Sequence, residues 1–198
     1  MAPPRLVVAT RNEHKLRELE QILTGIELAA LPEEIELPPE DGETFEANAI
    51  GKARAALSAT GEPAIADDSG IVAGALGGAP GVLSARFAGP GATDEQNLEL
   101  LLRELDGKVD RSVAYVCALA YVDPDGSEAV FEGICEGTLA REPRGSGGFG
   151  YDPAFVPRET GEDDERTMAE LDPDDKHVIS HRGRAARLLA RHLGVGVT

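Results

Sequence analysis

The feature that most constrains this chain is a pair of short apolar runs that end abruptly in polar residues. RLVVAT spans Arg5 to Thr10, and AIADD spans Ala64 to Asp68. Both are too short for a buried helix and read as interior strands. Between them lie helical patterns. Asn12 opens one with Leu16, Leu19, Ile22 and Leu23 on one face and Gly25 as its stop. Thr44 to Ala59 is Ala-rich and helical in period, whereas the stretch 31–42 holds three prolines and five acidic residues and reads as loop.

Further on, Gly74 to Gly91 predicts irregular backbone, and Thr93 with Gln96 predicts a capping box for a helix to about Leu105. Ser112 to Val122 and Glu128 to Glu136 read as strands joined by the turn Asp123-Pro124-Asp125-Gly126. Asp172-Pro173 reads as a cap and first turn, and a last helix is expected from about Gly183 to Leu193. Strands alternating with helices predict one α/β domain over residues 1–198, with a mixed sheet, flanking helices and room for two lobes.

Composition narrows the function classes. A net charge of −17 repels a polyanion, so no nucleic acid polymer is expected as partner. A small anion escapes that exclusion, because a few local donors and a metal ion can hold it. No apolar stretch approaches membrane-spanning length, and no membrane association is expected. Met1-Ala2-Pro3-Pro4-Arg5 leads straight into strand-like residues, so no secretory leader is expected and the chain reads as cytoplasmic. Cys117 and Cys135 each sit in an apolar run and read as buried hydrophobes.

Five segments combine special backbone residues with charge. At Thr10-Arg11-Asn12-Glu13-His14-Lys15 a strand turns into a helix, which suits an anion or equally an ordinary capped turn. In Glu40 to Lys52, Asn48 and Lys52 share a helix face, a pattern that plain solvation also produces. Asp67-Asp68-Ser69-Gly70 puts two carboxylates at a strand end, where hard oxygen ligands suit Mg²⁺ and an acidic turn is the alternative. Gly145 to Pro153 sets Phe149 and Tyr151 among four glycines, a platform for a base or a flexible hairpin. Lys176 to Arg182 places the donor pair His181-Arg182 just before the last helix, and a capping Ser180 with a solvated arginine is the alternative. The chain has fifteen arginines and four lysines, and three of the lysines (Lys15, Lys52 and Lys176) fall in these segments. A compact point charge is what a phosphate calls for.

In order and spacing, ATRNEHK, TFEANAIGKA, ADDSGIVAGALGGAPGVLSARFAG, GSGGFGYDPAF and TMAEL…KHVISHRGRA resemble the inosine/xanthosine triphosphate pyrophosphatase family. The resemblance runs nearly end to end. It implies an elongated mixed sheet with two lobes around a central active-site cleft, a homodimer, and free purine nucleoside triphosphates as substrates. It further implies Mg²⁺-dependent hydrolysis of ITP, dITP, XTP and dXTP to monophosphate and pyrophosphate, which keeps these nucleotides out of DNA and RNA. On the matching positions, Thr10, Arg11, Asn12, Glu13, His14, Lys15 and Lys52 would contact the triphosphate. Glu40 and Asp68 would hold Mg²⁺, with Asp68 as proton acceptor and Asp67 in support. Ser69 matches a substrate-contacting serine. Phe149, Gly150, Tyr151, Asp152, Lys176, His181 and Arg182 match base-recognition positions. Two departures stand out: Ala47 where many relatives carry Glu, and Arg11 where they often carry Gly. A silent nucleotide-binding module and a hydrolase of pyrimidine nucleotides are the competing classes. The first has little use for Glu40, Asp67 and Asp68 together, and His181-Arg182 after Lys176 argues against the second.

Overall fold

The structure is a computed structural model and describes residues 4–161 and 163–196. Residues 1–3, Glu162 and residues 197 and 198 lie outside the described residues.

The described residues form six strands and five α-helices, an α/β pattern. In chain order they are β1 (Arg5–Val8), α1 (Glu13–Ile22), β2 (Glu27–Ala30), α2 (Phe45–Thr60), β3 (Ala64–Ala73), α3 (Asp94–Glu104), β4 (Ser112–Val122), β5 (Glu128–Leu139), β6 (Phe155–Pro157), α4 (Pro173–Ile179) and α5 (His181–His192). The hydrogen-bonded order is β2-β1-β3-β4-β5-β6. β1 runs parallel to β2 and β3, and β5 runs antiparallel to β6, so the sheet is mixed as expected.

The chain divides into two compact units. The first comprises residues 1–68, 117–133 and 181–198, and the second residues 69–116 and 134–180. In the first, the two faces of the strands differ in kind. Leu6, Val8, Ile65, Cys117 and Leu119 pack with Leu19 and Ile22 of α1 and Ala185, Ala186 and Leu189 of α5. Val7, Ala9, Ala64, Ala66, Ala118 and Ala120 meet Ala49, Ala53 and Ala56 of α2. This second layer is nearly all alanine, so α2 lies close to the strands and carries its polar residues down with it. The second unit has its own core, in which Ile71, Leu101, Tyr115, Phe155 and Met168 pack together.

Several boundaries differ from the sequence reading, each for a physical reason. β3 does not stop at Asp68 but continues to Ala73, because Ile71 and Ala73 enter the second core. β5 runs three residues beyond Glu136, to Leu139, with alternate residues buried. α5 begins at His181 rather than Gly183. Ser180 closes α4, its N–H bonded to the Lys176 carbonyl. Asp172 makes no side-chain cap bond, while Pro173 does occupy the first turn of α4. The Thr93/Gln96 capping box forms as predicted. Neither cysteine is in a disulfide, and both are buried.

Candidate active site

In the first unit, the alternation of side chains along β3 separates two neighbouring carboxylates. Asp67 shares the face of Ile65, toward α1 and α5, and Asp68 shares the face of Ala66, toward α2. Their partners follow from that parity. Asp67 Oδ2 accepts from Arg182 Nε at 3.2 Å and Nη2 at 2.9 Å, and Lys15 Nζ lies 3.1 Å away. Arg182, itself fully buried, also pairs with Glu18 of α1 through Nη1. Asp68 Oδ2 accepts from Asn48 Nδ2 of α2 at 2.8 Å.

The two carboxyls differ in electrostatics as well. Burial alone would raise Asp67, but Lys15, Arg182 and Lys52 together outweigh it and hold the group well below the ordinary aspartate value. Asp68 moves the other way. Burial pushes it above the ordinary value, Glu40's charge adds to the rise, and Lys52 and the Asn48 bond only partly offset it. Asp67 is thus a fixed anion, and Asp68 is the readier proton acceptor.

Asn48 and Lys52, one turn apart on α2, tie the loop before the helix to this strand end. Lys52 Nζ donates to Glu40 and, at 2.6 Å, to the Asp67 carbonyl. Asn48 Oδ1 accepts from the Gly42 N–H at 2.8 Å. Glu40 and Asp68 are therefore neighbouring hard donors whose charges oppose each other, an arrangement that a divalent cation would relieve. Among the described residues no cluster of three or more His, Cys, Asp or Glu forms a closed cage. Mg²⁺ commonly binds through one or two carboxylates with phosphate oxygens completing its shell, so this donor set fits it.

The turn from β1 into α1 is a capped turn, one of the two alternatives that its sequence offers. Asn12 Oδ1 accepts from the N–H groups of His14 (2.9 Å) and Lys15 (3.2 Å), and Thr10 Oγ1 accepts from Asn12 N–H at 3.1 Å. Glu13 is exposed and pairs with Arg17 at 2.7 Å. Arg11 donates to the carbonyls of Leu31 (2.8 Å), Pro32 (2.7 Å) and Ile35 (2.5 Å), fastening the proline-rich loop. His14 is exposed. Of this segment, Lys15 is the residue whose charge reaches the carboxylates.

The second unit holds the remaining positions. Asp152 is buried and accepts from Lys176 Nζ at 2.8 Å, Phe149 N–H at 3.0 Å and Tyr115 OH at 2.9 Å. Lys176 Nζ lies 5.4 Å from the centroid of the half-buried Phe149 ring. Tyr151 was expected to join Phe149 as a platform. Its ring is instead buried in the second core, with its hydroxyl donating to the Ser84 carbonyl at 2.7 Å. Gly150 N–H donates to Asp94 at 2.8 Å, and Ser69 opens the second unit directly after Asp68. His181, buried, belongs to the first unit, as does Arg182.

Sequence reading missed Glu18, Tyr115 and Asp94. Glu18 stands one turn after Lys15 on α1, a spacing that could have flagged it. Tyr115, inside SVAYVCALAYV, carries no signal beyond a core strand.

Residues 6–192 match the Ham1 family. The chain belongs to that family. A dITP/XTP pyrophosphatase of Geobacter sulfurreducens is 49% identical over 196 residues, covering 96% of each chain. One of Mycobacterium tuberculosis is 50% identical over 194 residues, covering 93% of each. The solved structure of a HAM1 protein from Coxiella burnetii superposes with a TM-score of 0.86 at 41% identity, covering 96% of this chain and 98% of that one. The Ham1 match takes in both units, and all five motif segments fall within it.

Proposed function

We propose that this chain hydrolyses non-standard purine nucleoside triphosphates (ITP, dITP, XTP and dXTP) to the monophosphate and pyrophosphate, clearing them from the nucleotide pool. The observation that carries this reading is the pairing of a raised, α2-facing Asp68 with Glu40 and Lys52, next to an Asp67 held ionised by Lys15 and Arg182. The names carried by relatives at about half identity support it.

Glu40 and Asp68 would hold Mg²⁺, which when bound neutralises phosphate charge and acidifies water. Lys15 and Lys52 balance the remaining charge of the triphosphate. Asp68 takes the proton of the attacking water as its oxygen bonds to the α-phosphorus and the bond to the bridging oxygen breaks, releasing pyrophosphate. Asp67 stays ionised throughout, so it does not compete for that proton. In the second unit Phe149 offers a ring face for the base, and Lys176 offers N–H donors that suit a 6-oxo group. A 6-amino group would meet donor with donor. Arg182 turns its nitrogens to Asp67 and Glu18. Its part here is to hold the phosphate-side anion, which leaves the 6-oxo contact to Lys176. The whole chain acts as one catalytic domain, as a cytoplasmic homodimer. Among the described residues no helix is long and apolar enough to cross a membrane.

The test is pyrophosphate release from ITP, XTP, GTP, ATP and dTTP, with Mg²⁺ and with a chelator. Rapid turnover of ITP and XTP, weak turnover of the others and loss on chelation are expected. Equal turnover of all five would contradict the purine selectivity. No turnover of any would favour a binding module.

A further inference from the structure

The second unit contains a buried polar hub whose centre is Asp152. Its Oδ2 accepts from the Lys176 ammonium at 2.8 Å and the Phe149 N–H at 3.0 Å. Lys176 and Phe149 are also in mutual contact, ammonium over ring. One carboxylate oxygen therefore holds both the cation and the backbone that carries the ring. A carboxylate turns easily about its last bond, because that torsion is broad. Holding Oδ2 in place thus requires a partner on Oδ1. That partner is Tyr115, whose hydroxyl donates at 2.9 Å.

Tyr115 is itself immobilised. It lies on β4, is buried, and packs its ring against Phe155 with centroids 4.5 Å apart and planes tilted by 34°. The hub is also closed on its other side. Gly148 has φ +71°, and a Cβ there would overlap Asp152 Oδ2, so the carboxylate fills the space that a side chain would take.

We propose that Tyr115 is a positioning residue for purine selectivity, acting through Asp152 on Lys176 and Phe149. This rests on the reading that Lys176 and Phe149 hold the base. Tyr115 touches no substrate. Its hydroxyl fixes the rotation of Asp152, and through that carboxylate the place of the Lys176 ammonium over the Phe149 ring. A tyrosine inside a core strand thereby determines which purine is accepted.

The experiment compares kcat and KM for ITP and ATP in the native chain, Tyr115→Phe, Lys176→Gln and the double variant. Tyr115→Phe keeps the ring packing and removes the hydroxyl. The expected result is a KM for ITP raised about tenfold, the effect of one hydrogen bond to a charged group. kcat should stay within about twofold, and preference for ITP over ATP should fall with the KM change. The double variant should be no less selective than Lys176→Gln alone. Gly148→Ala, which crowds Asp152 from the other side, should show the same KM-against-kcat split and guards against a folding defect in Tyr115→Phe. A Tyr115→Phe chain with native KM and selectivity, or losses that multiply in the double variant, would overturn the proposal and leave the functional reading standing. A native chain that neither binds nor turns over any purine triphosphate would overturn both.

Discussion

At the scale of single residues, the central pair is Asp67 and Asp68. Adjacent in sequence, they face opposite sides of β3 and so meet opposite environments. Asp67 lies among cations that hold it ionised despite burial. The sign of its effect on stability follows. A carboxyl depressed below its ordinary 3.8 stabilises the folded chain fully above that pH, and the contribution is lost as pH falls below it. Asp67→Asn should remove this acid-side slope from denaturant unfolding curves. It should also lower stability at neutral pH by about 3–5 kcal/mol, because Arg182 and Lys15 lose a buried counter-charge. An unfolding free energy equal to the native one would show that the ion pairs carry no net stability. Residue types at this site were legible in the sequence, since Asp67, Asp68, Asn48 and Lys52 sit in a dense polar motif. Their division of labour was legible only in part. Period-two alternation already separates Asp67 from Asp68, but the partners Glu18 and Arg182 lie at opposite ends of the chain, and no local pattern joins them.

At the scale of elements, β4 and the helix caps were read closely, while the far ends of β3 and β5 and the two shortest edge strands were not. β4 spans the predicted residues, and Asn12, Thr44 and Thr93 cap α1, α2 and α3. β2 and β6, of four and three residues, carry too little pattern to stand out from loop. α5 starts two residues before the expected Gly183, which is buried inside the helix. β5 shows why this helix can approach so closely. A Cβ on Gly133 would run into the His181 carbonyl and come within 2.8 Å of Ala185 N. Gly133→Ala should therefore push the first turn of α5 outward, carrying His181 and Arg182 with it. Crowding of this kind costs about 1–3 kcal/mol. A lowered thermal midpoint together with reduced pyrophosphate release from ITP is expected, and a variant with native values of both would contradict the close packing.

At the scale of the whole molecule, each unit has its own core and its own chemical set. The first carries the carboxylates with Lys15 and Lys52, and the second carries Asp152 with Lys176 and Phe149. A chain with a net charge of −17 concentrates its scarce lysines at these two sets, so a triphosphate meets cations locally while longer polyanions are repelled. Family and fold class were legible from motif order alone. Two lobes were expected as well, but the point where one unit gives way to the other was not legible, because β3 passes between them from Asp68 to Ser69 without any break in its strand pattern. The most direct test of the whole account is pyrophosphate release from ITP by Asp68→Asn, in a preparation whose thermal unfolding matches the native chain. A fall of about 10²–10⁴-fold in kcat is expected from loss of a proton acceptor. Activity within a few-fold of native would contradict the assignment of Asp68 as the base.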